Sequence, residues 1–390
     1  MNSNQHIDTS TNQSMYIAGI GMITAVGGNA EMTSAAVRAG ISAYQLSDYT
    51  DRQNKAITMV NIPKEVFSSM NIDIDKGDEY KEQHDHIIKM AILALQDAFA
   101  HIQSDTDAVK QTIPLILAMP EPQPLSADKP MAAKRLIKNI IKLSGLPIAA
   151  EQIRCIHTGR AAGLQALDLA QRYLFEQGND YVIVGGSDSY CTMSLINQLE
   201  SQQRLLTESN KDGFAPGEAA SFIVLTRHAQ YAQNKNNQIV KLHPVGLDEE
   251  VGHLSSDAAY RGDGLDQAFK KALLHYNGSS ISKIYSSMNG ESFWSKEQGV
   301  AIIRNKKHFC DDMTVEHPAD CYGDPATATG TLLMGLSALA LLEEKAEQKV
   351  EKKTEQQGVH LVYSSSDGPT RAAVVLEKIA CRVSPPSVKC

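Results

Sequence analysis

The 390-residue chain has six cysteines, at 155, 191, 310, 321, 381 and 390, with no C-x-x-C pair and no histidines at matching spacing. That scatter excludes a disulfide framework and a zinc site. Positive charge is not in excess: the formal net charge is -8, and no Lys/Arg-rich segment runs unbroken by acids. A phosphate backbone would find no electrostatic footprint here, so no nucleic-acid partner is expected. The opening "MNSNQHIDTSTNQS" has neither the basic nor the apolar segment of a signal peptide. Residues 1–14 therefore read as a loose leader on a cytoplasmic protein. The longest apolar run, "TLLMGLSALALL" from Thr331, is too short to cross a bilayer, and no membrane partner is expected.

At 42% hydrophobic residues, the chain has enough apolar material for one large α/β unit or two packed halves. Strand-like runs start near 15, 114, 181, 220, 239, 283, 359 and 371, and helical patterns cover 29–39, 82–102, 129–144, 161–176, 263–276, 293–304 and 327–346. The alternation argues for an α/β protein with buried, mostly parallel sheets. The polar stretch 227–238 divides the pattern into similar halves, 15–230 and 239–380, with a tail at 381–390. The charged stretch 343–358 has no apolar stripe after Ala346 and reads as a solvated helix end and loop. His84 and His86 offer a metal pair, but residues two apart on a helix point in different directions, so they read as polar helix surface. "GIGMITAVGG" lacks the acid that a dinucleotide loop requires after a second strand. Neither cofactor nor metal is expected. Gly21 and Gly185-Gly186 read as turn glycines.

An ordered set of motifs resembles the β-ketoacyl synthase branch of the thiolase-like superfamily. It comprises "IAGIGMITAVG" (17–27), "SAAVRAGIS" (34–42), "GLQALDLA" (163–170), "YVIVGGSDS" (181–189) and "DGFAPGEAASFIVL" (212–225), then "RGDGLDQAFKKAL" (261–273), "SSMNGES" (286–292), "CYGDPATATGTLLMGLSALALL" (321–342) and "DGPTRAAVVLE" (367–377). The resemblance implies a thiolase-like fold, with two pseudo-equivalent βαβ halves in a five-layer αβαβα sandwich. It also implies a dimer in which the strand at 153–158, "IRCIHT", pairs across the axis, either with a second copy or with a synthase-like chain.

A condensing enzyme of that family uses a cysteine thiolate at a helix N-terminus, where the helix dipole favours the anion, and two histidines that assist decarboxylation and hold the oxyanion. Aligning "GRAAGLQAL" with the family's "ACSxGLxAL" places Arg160 on the cysteine. Guanidinium is not deprotonated in proteins and cannot be a nucleophile. The histidine positions fall on Asn289 and Asp324, and the family's lysine falls near Ala319. The nearby Cys155, His157 and Thr158 precede the turn and would lie in the strand. Cys155 reads as buried and Cys321 as core.

A cation at a helix start is unfavourable by about 0.3–1 kcal/mol when exposed and by more when buried, so Arg160 needs compensation. Asp324, Glu291 and Asp367 stand where relatives line the pocket, and pairing of Arg160 with one or more of them is expected. Asp324 before Pro325 is also an N-cap candidate for the following helix. Glu218 reads as a structural residue that satisfies backbone groups. The expected function is a non-catalytic ketosynthase-like scaffold or partner. The chain resembles some bacterial synthase-like relatives with "NGE" and "GD" at these positions that occur among accessory proteins of type VI secretion cargo, and the resemblance to chain-length-factor subunits implies an acyl-synthesis counterpart that would pair with an active synthase. The alternative is an acyl-thioester hydrolase or decarboxylase using Asp324 as base and Arg160 as carboxylate or oxyanion holder.

Overall fold

Two equivalent sets of strands, each with its own outer helices, enclose a pair of buried helices. A computed structural model describes residues 14–381, apart from residues 69, 76–81, 101, 103–111, 123–132, 275 and 345–357. Nearly all of the expected leader, the tail beyond residue 381 and most of the charged stretch 343–358 lie outside the described residues. The first half contains β1 (Met15–Thr24), α1 (Ala30–Arg38), the hairpin β2 (Gln45–Thr50) and β3 (Ala56–Met59), α2 (Glu82–Ala100), β4 (Leu115–Ala118) and α3 (Ala133–Leu143). It continues through β5 (Arg154–Ile156), α4 (Ala162–Phe175), β6 (Tyr181–Ser189), α5 (Met193–Ser201) and β7 (Glu218–Thr226). The second half contains β8 (Gln238–Leu242), β9 (Gly246–Glu249), α6 (Asp263–Leu274), β10 (Ile281–Tyr285), α7 (Ser292–Arg304), β11 (Phe309–Glu316), α8 (Ala319–Tyr322), α9 (Thr329–Glu343), β12 (Val359–Ser365) and β13 (Thr370–Ala380).

The strand order β5-β4-β6-β7-β1 in one half matches β11-β10-β12-β13-β8 in the other, and Met15 and Tyr16 join them by pairing with Leu242 and Lys241. The pairings match too: β4 is parallel to β5 and β6, and β10 to β11 and β12, while every other pairing in the large sheet is antiparallel. The expectation of mostly parallel sheets is therefore corrected. Between β12 and β13, for example, there is only a four-residue connection, whereas a parallel crossover needs a dozen residues or more. The repeat in topology has no counterpart in sequence repetition, because packing constrains volume and polarity rather than residue identity.

Helices α4 and α9 lie between the two strand sets, with α2 outside the first and α6 outside the second. The result is the five-layer αβαβα sandwich. Helix α9, "TGTLLMGLSALALLE", has no polar face, and Thr329 through Leu342 are all buried, as expected of a helix packed on all sides. The continuous helical segment Ala326–Glu343 is long and apolar enough to span a membrane by composition, which corrects the reading from the shorter run. Its surroundings are the protein's own core.

Several glycines act through close approach rather than turning. Gly19 and Gly21 on β1 face the backbone of Ala94 and Ala98 on α2, and Gly246 on β9 faces Ala268 and Ala272 on α6, the equivalent contact in the other half. Gly185 and Gly186 are likewise inside β6, not at its end, with Gly185 against Phe222 and Ser221 of β7. The turn reading of these glycines is thus corrected. His84 is buried and bonded by Arg135 Nη1, and His86 Nε2 lies 2.9 Å from Glu218 Oε1. Both contribute to the interior side of α2 rather than a solvated face, because polar partners are available there. No group of three metal-ligating side chains occurs among the described residues. Strands β2, β3 and β11 and helix α5 have no clear sequence signal. The run "FCDDMTVE" of β11 mixes acids with apolar residues because it lies at a sheet edge.

Candidate functional site

The short strand β5 ends at Ile156, and the chain then turns through Gly159–Ala161, a 3-10 segment that runs directly into α4. Gly159 has φ +57, a left-handed conformation that glycine adopts without strain. The turn carries Arg160 into the interior, where its side chain is only 2% exposed. Arg160 Nη1 donates to Asp324 Oδ2 and Nη2 to Asp367 Oδ1, each at 2.9 Å. Its guanidinium lies 4.2 Å over the ring of Trp294, the single tryptophan of the chain. These contacts replace the lost hydration of the cation. Burial lowers the guanidinium pKa, but Asp324 and Asp367 outweigh that effect, raising it above its ordinary value. The group is a permanent cation.

The acids come from three separate loops. Asp324 follows Gly323, whose φ is +73, between α8 and α9. Its Oδ1 accepts from Ala326 N (3.0 Å), at the start of the 3-10 turn ahead of α9, so it does not cap α9 itself. Its Oδ2 also accepts from Asn289 Nδ2 (2.8 Å). Asn289 and Glu291 lie between β10 and α7, and Asn289 Nδ2 reaches Glu291 Oε2 as well (3.1 Å). Glu291 is bound by Arg204 rather than Arg160: Arg204 Nε and Nη2 donate to its two oxygens at 2.7 and 2.8 Å. Arg204 Nη1 donates to Asp367 Oδ2 (2.6 Å), so Asp367 is shared between two arginines. Burial pushes the Asp367 carboxyl up, yet Arg204 and Arg160 overcome it and hold it down at about 2.

Of the five positions singled out in sequence, all converge. The structure adds Arg204, Trp294, Arg371, Glu297 and Glu121. Trp294 Nε1 donates to Glu291 Oε2 (3.0 Å), and Arg371, 5.7 Å from the Trp294 ring, is paired through Nε with Glu297 Oε1 (2.5 Å). Gly368 N donates to both oxygens of Glu121 at 3.1 Å. Arg204 lies in a polar loop after α5, where a lone arginine carries no pattern. The single tryptophan was the one available signal.

Cys155 lies on β5, and His157 and Thr158 follow it rather than lying in the strand; Thr158 reaches the first turn of α4, its hydroxyl donating to Gln165 Oε1 (2.6 Å). Cys155 is half-buried on the sheet edge, which corrects its reading as buried, whereas Cys321 is buried in the core as expected. Burial raises the thiol pKa of both, the direction opposite to that of an activated nucleophile. Glu218 accepts from Ile62 N (2.8 Å) and Ser189 Oγ (2.9 Å), in keeping with its structural reading.

Beside this cluster, Asp188 at the end of β6 is buried, and burial pushes its carboxyl up to about 6 even though Ser189 N and Thr327 N donate to it. Its unfolded value is about 4, so between about pH 4 and pH 6 the unfolded chain ionises first and this group's contribution to stability falls as pH rises. Asp188→Asn keeps an acceptor for only one of the two backbone donors, which bind separate carboxylate oxygens, and that loss is the same at every pH. Urea unfolding across that window should show the variant gaining on the native chain with rising pH, by about 3 kcal/mol at the upper plateau.

The layered architecture is the thiolase-like fold, shared with solved ketosynthase structures. Residues 153–231 match the family model "Beta-ketoacyl synthase, N-terminal domain". No curated protein matches the chain in sequence. Among solved structures, the ishigamide ketosynthase/chain length factor is similar at 17% identity, covering 94% of this chain and 99% of that chain, with a TM-score of 0.69. A ketosynthase in complex with its chain length factor from Xenorhabdus doucetiae is 16% identical, with coverage of 94% and 98% and a TM-score of 0.67. The ketosynthase from module 6 of the bacillaene synthase from Bacillus subtilis 168 is 15% identical, with coverage of 93% and 72% and a TM-score of 0.69.

Proposed function

We infer that the chain is a non-condensing ketosynthase-like partner subunit that acts by pairing with a synthase-like chain, in the manner of a chain length factor. The observation that carries this reading is Arg160: a buried, doubly paired cation on the turn into α4, where the family resemblance places the nucleophile. A cation held there by two carboxylates can neither accept an acyl group nor release its proton. Two of the similar structures contain a ketosynthase together with a chain length factor, which supports pairing. Strand β5 supports it as well: among the described residues it pairs only with β4 and stands at the end of the sheet, leaving its outer edge available to another chain. The hydrolase or decarboxylase reading is disfavoured because both Asp324 oxygens are already engaged, by Arg160, Asn289 and Ala326 N.

The test is affinity capture from the native host with mass spectrometry, beside incubation with acyl-CoA and malonyl-CoA. The expected result is a co-purifying synthase-like chain that is lost in Ile156→Lys, with neither acyl adduct nor free thiol release. Recovery of secretion components without a synthase would instead identify a type VI-like accessory, and self-association alone a homodimeric scaffold. Turnover that disappears in Arg160→Ala would make the chain an enzyme and overturn the reading.

A further inference from the structure

An asparagine or aspartate that precedes glycine can be attacked by its own backbone, because glycine has no Cβ to shield its amide nitrogen or to restrict the rotation that brings it round. The chain has five such dipeptides: Asp212-Gly213, Asp263-Gly264, Asn277-Gly278, Asn289-Gly290 and Asp367-Gly368. Four of them are held. Asn289 is buried, its Nδ2 donates to Asp324 Oδ2 (2.8 Å) and Glu291 Oε2 (3.1 Å), and its Oδ1 accepts from Glu291 N (3.2 Å). Asp367 is bound by Arg160 and Arg204, and the amide that would attack it, Gly368 N, donates to Glu121. Asp212 accepts from Ser292 N (2.6 Å) and Ser292 Oγ (2.8 Å). Asp263 accepts from Arg304 Nη1 (2.9 Å), while Gly264 N donates to Glu250 Oε2 (2.9 Å). Asn277 differs from all four: both it and Gly278 are exposed, and its side chain makes no hydrogen bond among the described residues. Packing accounts for the glycine, since a Cβ on Gly278 would lie 2.4 Å from the hydroxyl of Tyr276, whose buried ring meets that of His243 edge-on.

We propose that Asn277 is a site of self-modification, where the exposed Asn-Gly pair converts to aspartate and isoaspartate, and that the buried cluster protects the same pair at Asn289. Gly278 N gives up its proton to solvent and attacks Asn277 Cγ. The new C–N bond closes a cyclic imide, the Cγ–Nδ2 bond breaks, and the side-chain nitrogen leaves as ammonia after taking a proton from water. A second water opens the imide at either carbonyl, which yields aspartate or isoaspartate. Water is the one co-reactant, and no electrons are exchanged. The product carries one more negative charge on the connection between α6 and β10. The inference does not depend on whether the chain pairs with a synthase.

The test is incubation of the full chain in mildly alkaline buffer, and in parallel in the same buffer with denaturing urea, followed over time by peptide mapping with mass spectrometry. In buffer, the peptide containing Asn277 should gain the mass of an amide-to-acid exchange and resolve into two products, aspartyl and isoaspartyl. The peptide containing Asn289 should change at least about tenfold more slowly, because freeing its amide breaks three hydrogen bonds, two of them to carboxylates. In urea the two peptides should react at similar rates, since the dipeptide is the same and the fold is gone. Asn277→Gln should abolish both products at that position. An Asn277 peptide that stays unmodified in buffer overturns the proposal, as does an Asn289 peptide that keeps pace with it in the folded chain. A rate difference that persists in urea would also overturn it, by assigning the protection to local sequence rather than to the cluster.

Discussion

Replacing Arg160 by alanine is expected to destabilise the protein by about 3–5 kcal/mol, the range for breaking a buried ion pair from one side. Asp324 would keep its bonds from Asn289 and Ala326 N but lose its cation while only 2% exposed, and a carboxylate in that position must either stay charged in a poor medium or take up a proton. Asp367 would lose less, since Arg204 still holds it. The paired change Arg160→Met with Asp324→Asn removes both charges together while retaining an acceptor for Ala326 N. It should recover most of the loss, because a buried pair replaced by groups of similar volume is often nearly neutral. Urea midpoints for Arg160→Met, Asp324→Asn and the double variant close the cycle. A loss below about 1 kcal/mol for Arg160→Ala, the range of exposed pairs, would mean that the cluster is hydrated and contributes little.

An effect of similar size is expected at Gly21, outside the charge cluster. A Cβ there would lie 1.8 Å from Ala94 O and 2.4 Å from Ala98 N, both backbone atoms of α2 that no side-chain rotation can move. Gly246 repeats the constraint in the second half, with its Cβ at 2.1 Å from Ala268 O and 2.4 Å from Ala272 N. Gly21→Val or Gly246→Val must therefore push an outer helix off its sheet, at a cost above about 4 kcal/mol, where most domains no longer fold. Gly28→Ala is the control: a Cβ there meets nothing within 4 Å, and the change should stay within about 0.5 kcal/mol. Expression level and circular dichroism distinguish these outcomes. A well-folded Gly21→Val would show that α2 does not rest on β1 as described.

Much of this architecture is legible in one dimension. The apolar run of α9 and the long strands β1, β6, β7, β12 and β13 stand out because their burial demands continuous hydrophobic residues, and the motif order pointed to the layered fold. Local signals fade where an element is short or lies at an edge, as at β2, β3 and β11, because a strand with one exposed face and one unpaired edge imposes few requirements on its residues. Strand direction is equally hidden, since a run of valines reads the same in either orientation.

The site divides in the same way. Sequence by itself determined that Arg160 stands at the turn and that Asn289, Glu291, Asp324 and Asp367 lie in loops near it, because motif spacing survives translation into structure. Only the tertiary fold decided which acid meets which base. Residues 160, 204, 291, 324 and 367 belong to five separate segments, and each ion pair depends on a few ångströms of side-chain reach across the meeting of the two halves. Asp367 became the shared acid, and Arg204 entered the cluster at all, through geometry that no local pattern encodes. Pairing energy inside a protein depends on distance and burial, and both are properties of the folded chain.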